Sequence, residues 1–114
     1  MQTLTGTQRR AMSVAERLQV IAEPHRLMIL RHLRRGDQYA GRLAEALDIS
    51  PSLASHHLTT LIAAGFVTRE QKGPYACYSA KRDAIEAFHA EIGQLIGAIV
   101  PEDALEVAEV CDTE

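Results

Sequence analysis

Cysteine is scarce in this 114-residue sequence, with only Cys77 and Cys111. Two are too few for a disulfide scaffold, and a reducing, cytoplasmic location is the default expectation. No apolar run approaches the roughly 18 residues that a membrane span needs. Met1 to Arg10 is polar and lacks the apolar stretch of a secretory signal. Internal repeats and low-complexity segments are missing. So is a G-x-x-x-x-G-K phosphate loop, and no nucleophile, base and orienting group fall together, which argues against an enzyme. Ser55-His56-His57 is no exception, because neighbours on a helix point about 100° apart and do not face one another.

What is present suits one folded domain: 46% of residues are hydrophobic and 24% charged. The net charge of −3, read alone, argues against a nucleic-acid partner. The charges are sorted, however. All 12 Lys and Arg lie in residues 1–82 against six acids, a charge of +6. Residues 83–114 hold nine acids and no Lys or Arg, a charge of −9. This asymmetry points to a basic working surface and a separate acidic segment.

The hydrophobic pattern divides the chain into a flexible arm at 1–10, a domain at 11–100 and an acidic tail at 101–114. A first helix from Ala11 carries Val14, Leu18 and Ile21 on one stripe. Pro24 opens a second, with Leu27, Leu30 and Leu33 as its apolar face and Ile29 beside Leu33 at i, i+4. Asp37 is the expected N-cap of a short third helix with Ala40, Leu43, Ala44 and Leu47. A fourth starts at Ser50 and Pro51, buries Leu53, Ala54, Leu58, Leu61 and Ile62, and stops at Gly65. The strand-rich segments Phe66–Gln71 and Tyr75–Ser79, joined by Lys72-Gly73-Pro74, read as a β-hairpin. A last helix covers Lys81 to Val100, and Pro101 ends it.

The expected fold is therefore mainly α with a small β-hairpin: a winged helix-turn-helix, homodimeric. On the fourth helix Ser52, Ser55, His56, Thr59 and Ala63 form one stripe opposite the apolar face. It holds no acid and no bulky apolar residue, as entry into a DNA major groove requires. Lacking Arg, Asn and Gln, it predicts modest direct base readout and a large part for DNA shape. Ser50 belongs with the stripe, while Arg42, Arg69 and Lys72 are candidate phosphate contacts. A winged helix that binds a protein partner is the rival reading, and the stripe offers no aromatic or apolar anchor for one.

In the last helix Ile85, Phe88, Ile92, Leu95 and Ile99 follow heptad spacing. Together with Val14, Leu18 and Ile21 they make a candidate dimer interface, suited to a near-palindromic double-stranded operator.

Residues 14 to 99 resemble the ArsR/SmtB family of winged-helix bacterial repressors. The resemblance rests on Ala22-Glu23-Pro24-His25-Arg26-Leu27, Leu43-Ala44, Ile49-Ser50, Ser55-His56-His57-Leu58, Leu61, Gly65-Phe66-Val67 and Tyr78-Ser79. It implies a dimer of five helices and a wing that binds operators and is released by a chemical signal. It places Ser52, Ser55 and His56 toward bases and His57 on the inner edge of its helix.

The family's metal ligands are missing. Where many relatives carry a Cys-x-Cys pair this chain has Tyr39 and Gly41. Where others carry Asp-x-His and His-x-x-His or His-x-x-Glu it has Arg82, Ala84, Leu95 and Ala98. The expected effector is still a divalent transition metal, at a non-standard site, with Glu86 and His89 as candidate ligands. Thiol oxidation at Cys111 and ligand-independent repression are the alternatives.

Overall fold

A computed structural model describes residues 3–97. The expectations for Ala98, Ile99, Val100, Pro101, Cys111 and the 101–114 tail fall outside those residues. The chain runs α1 (Gly6–Ile21), α2 (Pro24–Leu33), β1 (Gln38–Tyr39), α3 (Ala40–Leu47), α4 (Pro51–Ala63), β2 (Val67–Lys72), β3 (Tyr75–Ala80) and α5 (Arg82–Ile96).

α1 begins at Gly6 rather than Ala11, so residues 6–10 of the expected arm are helix. The cause is a capping box. Thr5 Oγ1 accepts from Gln8 N at 3.0 Å, and Gln8 Oε1 accepts from Thr5 N at 2.8 Å. This polar turn carries no hydrophobic period and so gives no periodicity signal. Glu23 caps α2, its Oε2 accepting from Arg26 N at 2.9 Å, and Pro24 takes the first helical position. Ile29 and Leu33 are buried and Leu30 partly so, but Leu27 is 50% exposed. The inner face of α2 therefore runs through Ile29, and Leu27 leaves the expected stripe.

Asp37 does not cap α3. Tyr39 stands at that position without a side-chain bond, because Gln38 and Tyr39 pair as a strand with Tyr78 and Cys77. The sheet is antiparallel in the order β1-β3-β2. α3 ends on Asp48 in the left-handed region (φ 55). Ser50 then caps α4, its Oγ accepting from Leu53 N at 3.1 Å, with Pro51 next. Ala54, Leu58 and Leu61 are fully buried and Ile62 partly so. Leu53, expected inside, is 38% exposed. Its neighbour Ala54 takes the inward position, and adjacent helical residues cannot share it. Gly65, at φ 88, turns the chain out of α4 into the hairpin.

The core is Ile29, Leu33, Leu43, Leu58, Leu61, Phe66 and Val67, joined by Val14, Tyr78 and Phe88. Each large apolar side chain buried here contributes about 1.5–3 kcal/mol. Phe88 of α5 packs against Phe66 at 5.1 Å between ring centroids. Arg17 of α1 lies 4.8 Å over the Phe88 ring and bonds both Glu91 oxygens at 3.1 and 3.2 Å, which ties α1 to α5. Within the described residues α5 runs to Ile96, with Gly97 (φ 82) at its C-cap.

Two members of the expected dimer seam, Val14 and Phe88, are spent in the chain's own core at 5% and 3% exposure. Ile21, Ile85, Ile92 and Leu95 are partly buried against that core, and Leu18 is exposed.

Candidate nucleic-acid interface

α4 is held from both ends. Ser50 fixes its first turn, while Leu58 and Leu61 anchor its inner face. The opposite face is therefore presented to solvent. Ser52, Ser55, His56, Thr59 and Ala63 are all exposed, as expected from the period, and so is Ser50. Thr59 Oγ1 donates to Ser55 O at 2.9 Å, and Thr60 Oγ1 to His56 O at 3.1 Å. The Thr59 hydroxyl keeps its acceptor lone pairs for an outside donor. Leu53 stands exposed at the start of this helix, an apolar group that the sequence pattern hid because it reads as core.

The wing lies to one side. Arg69 and Lys72 are exposed on β2, in register with Tyr78 and Tyr75. Arg69 Nη2 donates to Gln71 Oε1 at 2.9 Å, and Gln71 Nε2 to the Gly73 carbonyl at 2.9 Å, which stiffens the hairpin tip. Tyr75, 63% exposed, meets Tyr39 edge-on at 5.7 Å. Arg42 is exposed on α3.

Behind the stripe lies a polar cluster that the sequence did not reveal. His57, on the inner side of α4, is 6% exposed. Its Nδ1 accepts from Arg26 Nη1 at 3.2 Å, and its ring stacks on His25 at 5.4 Å. Glu23 Oε1 sits 3.1 Å from His25 Nδ1. Arg26 is fixed in turn by an Nε bond to the Val20 carbonyl. Burial holds the His57 pKa below the ordinary histidine value, and the charges of Arg26, His25 and His56 add to this against the pull of Glu23. For Glu23 partial burial works upward. The Arg26 N–H, the His25 bond and the two imidazole charges outweigh it and hold the carboxyl below the usual range. The signal that could have found this cluster is the capping position of Glu23 before Pro24. Its partner lies 34 residues further on, beyond any local pattern.

Glu86 and His89 are both exposed on α5. Among the described residues no third His, Cys, Asp or Glu joins them as a metal-holding group. Cys77 is buried on β3.

Residues 23–69 match the family described as bacterial regulatory protein, arsR family. Over 69 residues the chain is 42% identical to the HTH-type transcriptional regulator NmtR of Mycobacterium tuberculosis, covering 60% of this chain and 58% of that one. The chain spans about half to two-thirds of the curated relatives it matches. An ArsR-like transcriptional regulator from Rhodococcus sp. RHA1 superposes with a TM-score of 0.67 at 30% identity, covering 77% of this chain and 82% of that one. NolR from Sinorhizobium fredii superposes at 0.65 with 28% identity, covering 87% and 100%. The match over residues 23–69, together with the 30%-identical superposition that covers 82% of the Rhodococcus regulator, shows that the chain belongs to the ArsR family.

Proposed function

We propose that the chain is a homodimeric, DNA-binding transcriptional repressor that acts in the cytoplasm and answers to a divalent transition metal. The observation that carries the DNA reading is the exposed, acid-free stripe of Ser52, Ser55, His56 and Thr59 on a helix locked by its core face. In this reading α4 enters the major groove, and Ser50 and Arg42 meet the backbone beside it. Arg69 and Lys72 of the wing bind neighbouring phosphates. Leu53 adds an apolar group that suits a thymine methyl. With no Arg, Asn or Gln on the stripe, DNA shape supplies much of the specificity.

The dimer reading is supported by an apolar cavity of about 350 Å³ between α1 and α5. Ala11, Leu18, Ile92, Leu95 and Ile96 are among the residues that line it. Met12, Leu18 and Ile96 are exposed on the same pair of helices. A second copy would cover these groups and set two α4 helices on a near-palindromic operator. One solved winged-helix domain with this fold, Mb0332 from Mycobacterium bovis, is described as homodimeric.

Mobility-shift titration against the DNA upstream of its own gene tests the function. About six phosphate contacts lower the affinity some 10³-fold between 50 and 200 mM salt. Binding that is absent, or indifferent to salt, contradicts the reading.

A further inference from the structure

Glu23, His25 and His57 each offer one ligand atom, and the three lie within 4.8 Å of one another. Two come from the corner between α1 and α2, and the third from the middle of α4. Glu23 Oε1 is 3.1 Å from His25 Nδ1, and its Oε2 is 3.9 Å from His57 Nε2. Ligands about 2.0–2.1 Å from a tetrahedral zinc ion stand roughly 3.4 Å apart, so these donors need shifts of about 1.5 Å or less. The Glu23 and His25 side chains are 26% and 39% exposed, which leaves them room to move and gives an ion a way in. His57, at 8%, is the fixed member.

We propose that Glu23, His25 and His57 form a binding site for a borderline divalent cation such as Zn²⁺, with water completing the shell. Two imidazoles and one carboxylate are a donor set that Zn²⁺, Co²⁺ and Ni²⁺ all accept. The site deepens the metal-responsive reading and replaces the exposed Glu86 and His89 pair as its ligands. Glu23 supplies the carboxylate of the set, and the two imidazoles bind through ring nitrogens freed of a proton.

Arg26 makes the site a switch. A guanidinium only donates, so His57 Nδ1 accepts from it, and the neutral ring carries its proton on Nε2. A metal on Nε2, the atom facing Glu23, requires that proton on Nδ1. Two donors then confront each other, and Arg26 has to release His57. The ion thus exchanges an α2–α4 hydrogen bond for a metal link from the α1–α2 corner to α4. His57 is next to His56 of the stripe, with 5.8 Å between the rings. The effect on DNA affinity rests on the DNA-binding reading; the metal site itself does not.

The test is calorimetric titration of the full chain with Zn²⁺ alone, repeated with Co²⁺ followed by its visible spectrum. One ion per chain is expected. His25→Ala and Glu23→Gln should each weaken binding at least tenfold, with the Glu86→Ala/His89→Ala double variant unchanged. His25 lies outside the core and Gln keeps the cap acceptor, so neither variant removes a core side chain; circular dichroism checks their fold. No binding by the wild type, or wild-type affinity in both single variants, overturns the site. Mobility shifts with and without Zn²⁺ should differ for the wild type and not for His25→Ala. A protein that binds zinc here but no DNA refutes the repressor reading and leaves the site standing. Zinc binding here with unchanged DNA affinity overturns the switch.

Discussion

His57 occupies the place where the core of this protein meets its outer helix. It is a buried imidazole with a guanidinium on one nitrogen and a carboxylate facing the other. Both it and Glu23 have pKa values held below ordinary. For His57 the unfolded chain takes up a proton near the ordinary value of 6.5 while the folded chain stays neutral. The unfolded state then binds more protons, so stability falls as pH drops below about 6.5. Glu23 acts in the same direction further down. Its stabilisation is full above the ordinary 4.5 and is lost as pH falls through its lower folded value. Urea midpoints should therefore fall from pH 7.5 to pH 5.5 and again toward pH 4. A midpoint that holds steady or rises over the first interval contradicts the His57 assignment.

At the scale of the element, α4 is the part whose chemistry divides most cleanly. Ser50 closes its first turn through one hydrogen bond. Ser50→Ala should cost about 1 kcal/mol of stability, read from a denaturant midpoint at unchanged slope. His56 and Lys72 should separate two kinds of contact. His56→Ala should change which bases are preferred, and Lys72→Ala should weaken all duplexes alike and lower the salt slope by about one. Selection from a randomised duplex pool reads the first, and salt titration the second; equal effects of both substitutions on all sequences would remove His56 from base reading. The stripe and both ends of α4 were legible because capping and a 3.6-residue period are local. Leu53 was not: a leucine beside the apolar face reads as core, and only the helix's final rotation put it in solvent.

For the whole molecule the decisive surface is the one shared by α1 and α5. Arg17, Glu91, Val14 and Phe88 join the two helices within one chain. Leu18, Met12 and Ile96 are left outside, the last 74% exposed. Because Ile96 contributes little to the chain's own core, Ile96→Glu should spare folding and weaken self-association. Light scattering behind size exclusion should show the shift from dimer to monomer, with cooperative unfolding retained. A variant that stays dimeric at low micromolar concentration would move the interface elsewhere. The heptad spacing of α5 marked an apolar seam without saying which partner each residue meets. A buried Phe88 and an exposed Ile96 carry the same signal in a hydrophobic pattern.

By itself the sequence determined the order of helices and hairpin, the Ser50-Pro51 start and Gly65 end of α4, and the face that α4 turns outward. These follow from capping, turn chemistry and periodicity, which act within a few residues. Tertiary structure alone decided three further things. Gln38 and Tyr39 became a strand because β3 was there to receive their hydrogen bonds, although two residues are too few to show a period. Val14 and Phe88 went to the chain's own core, because burial within one chain claims those side chains before a second copy can. Glu23 and His25 became neighbours of His57 because packing α2 against α4 brings that histidine to groups that the chain keeps more than 30 residues away from it.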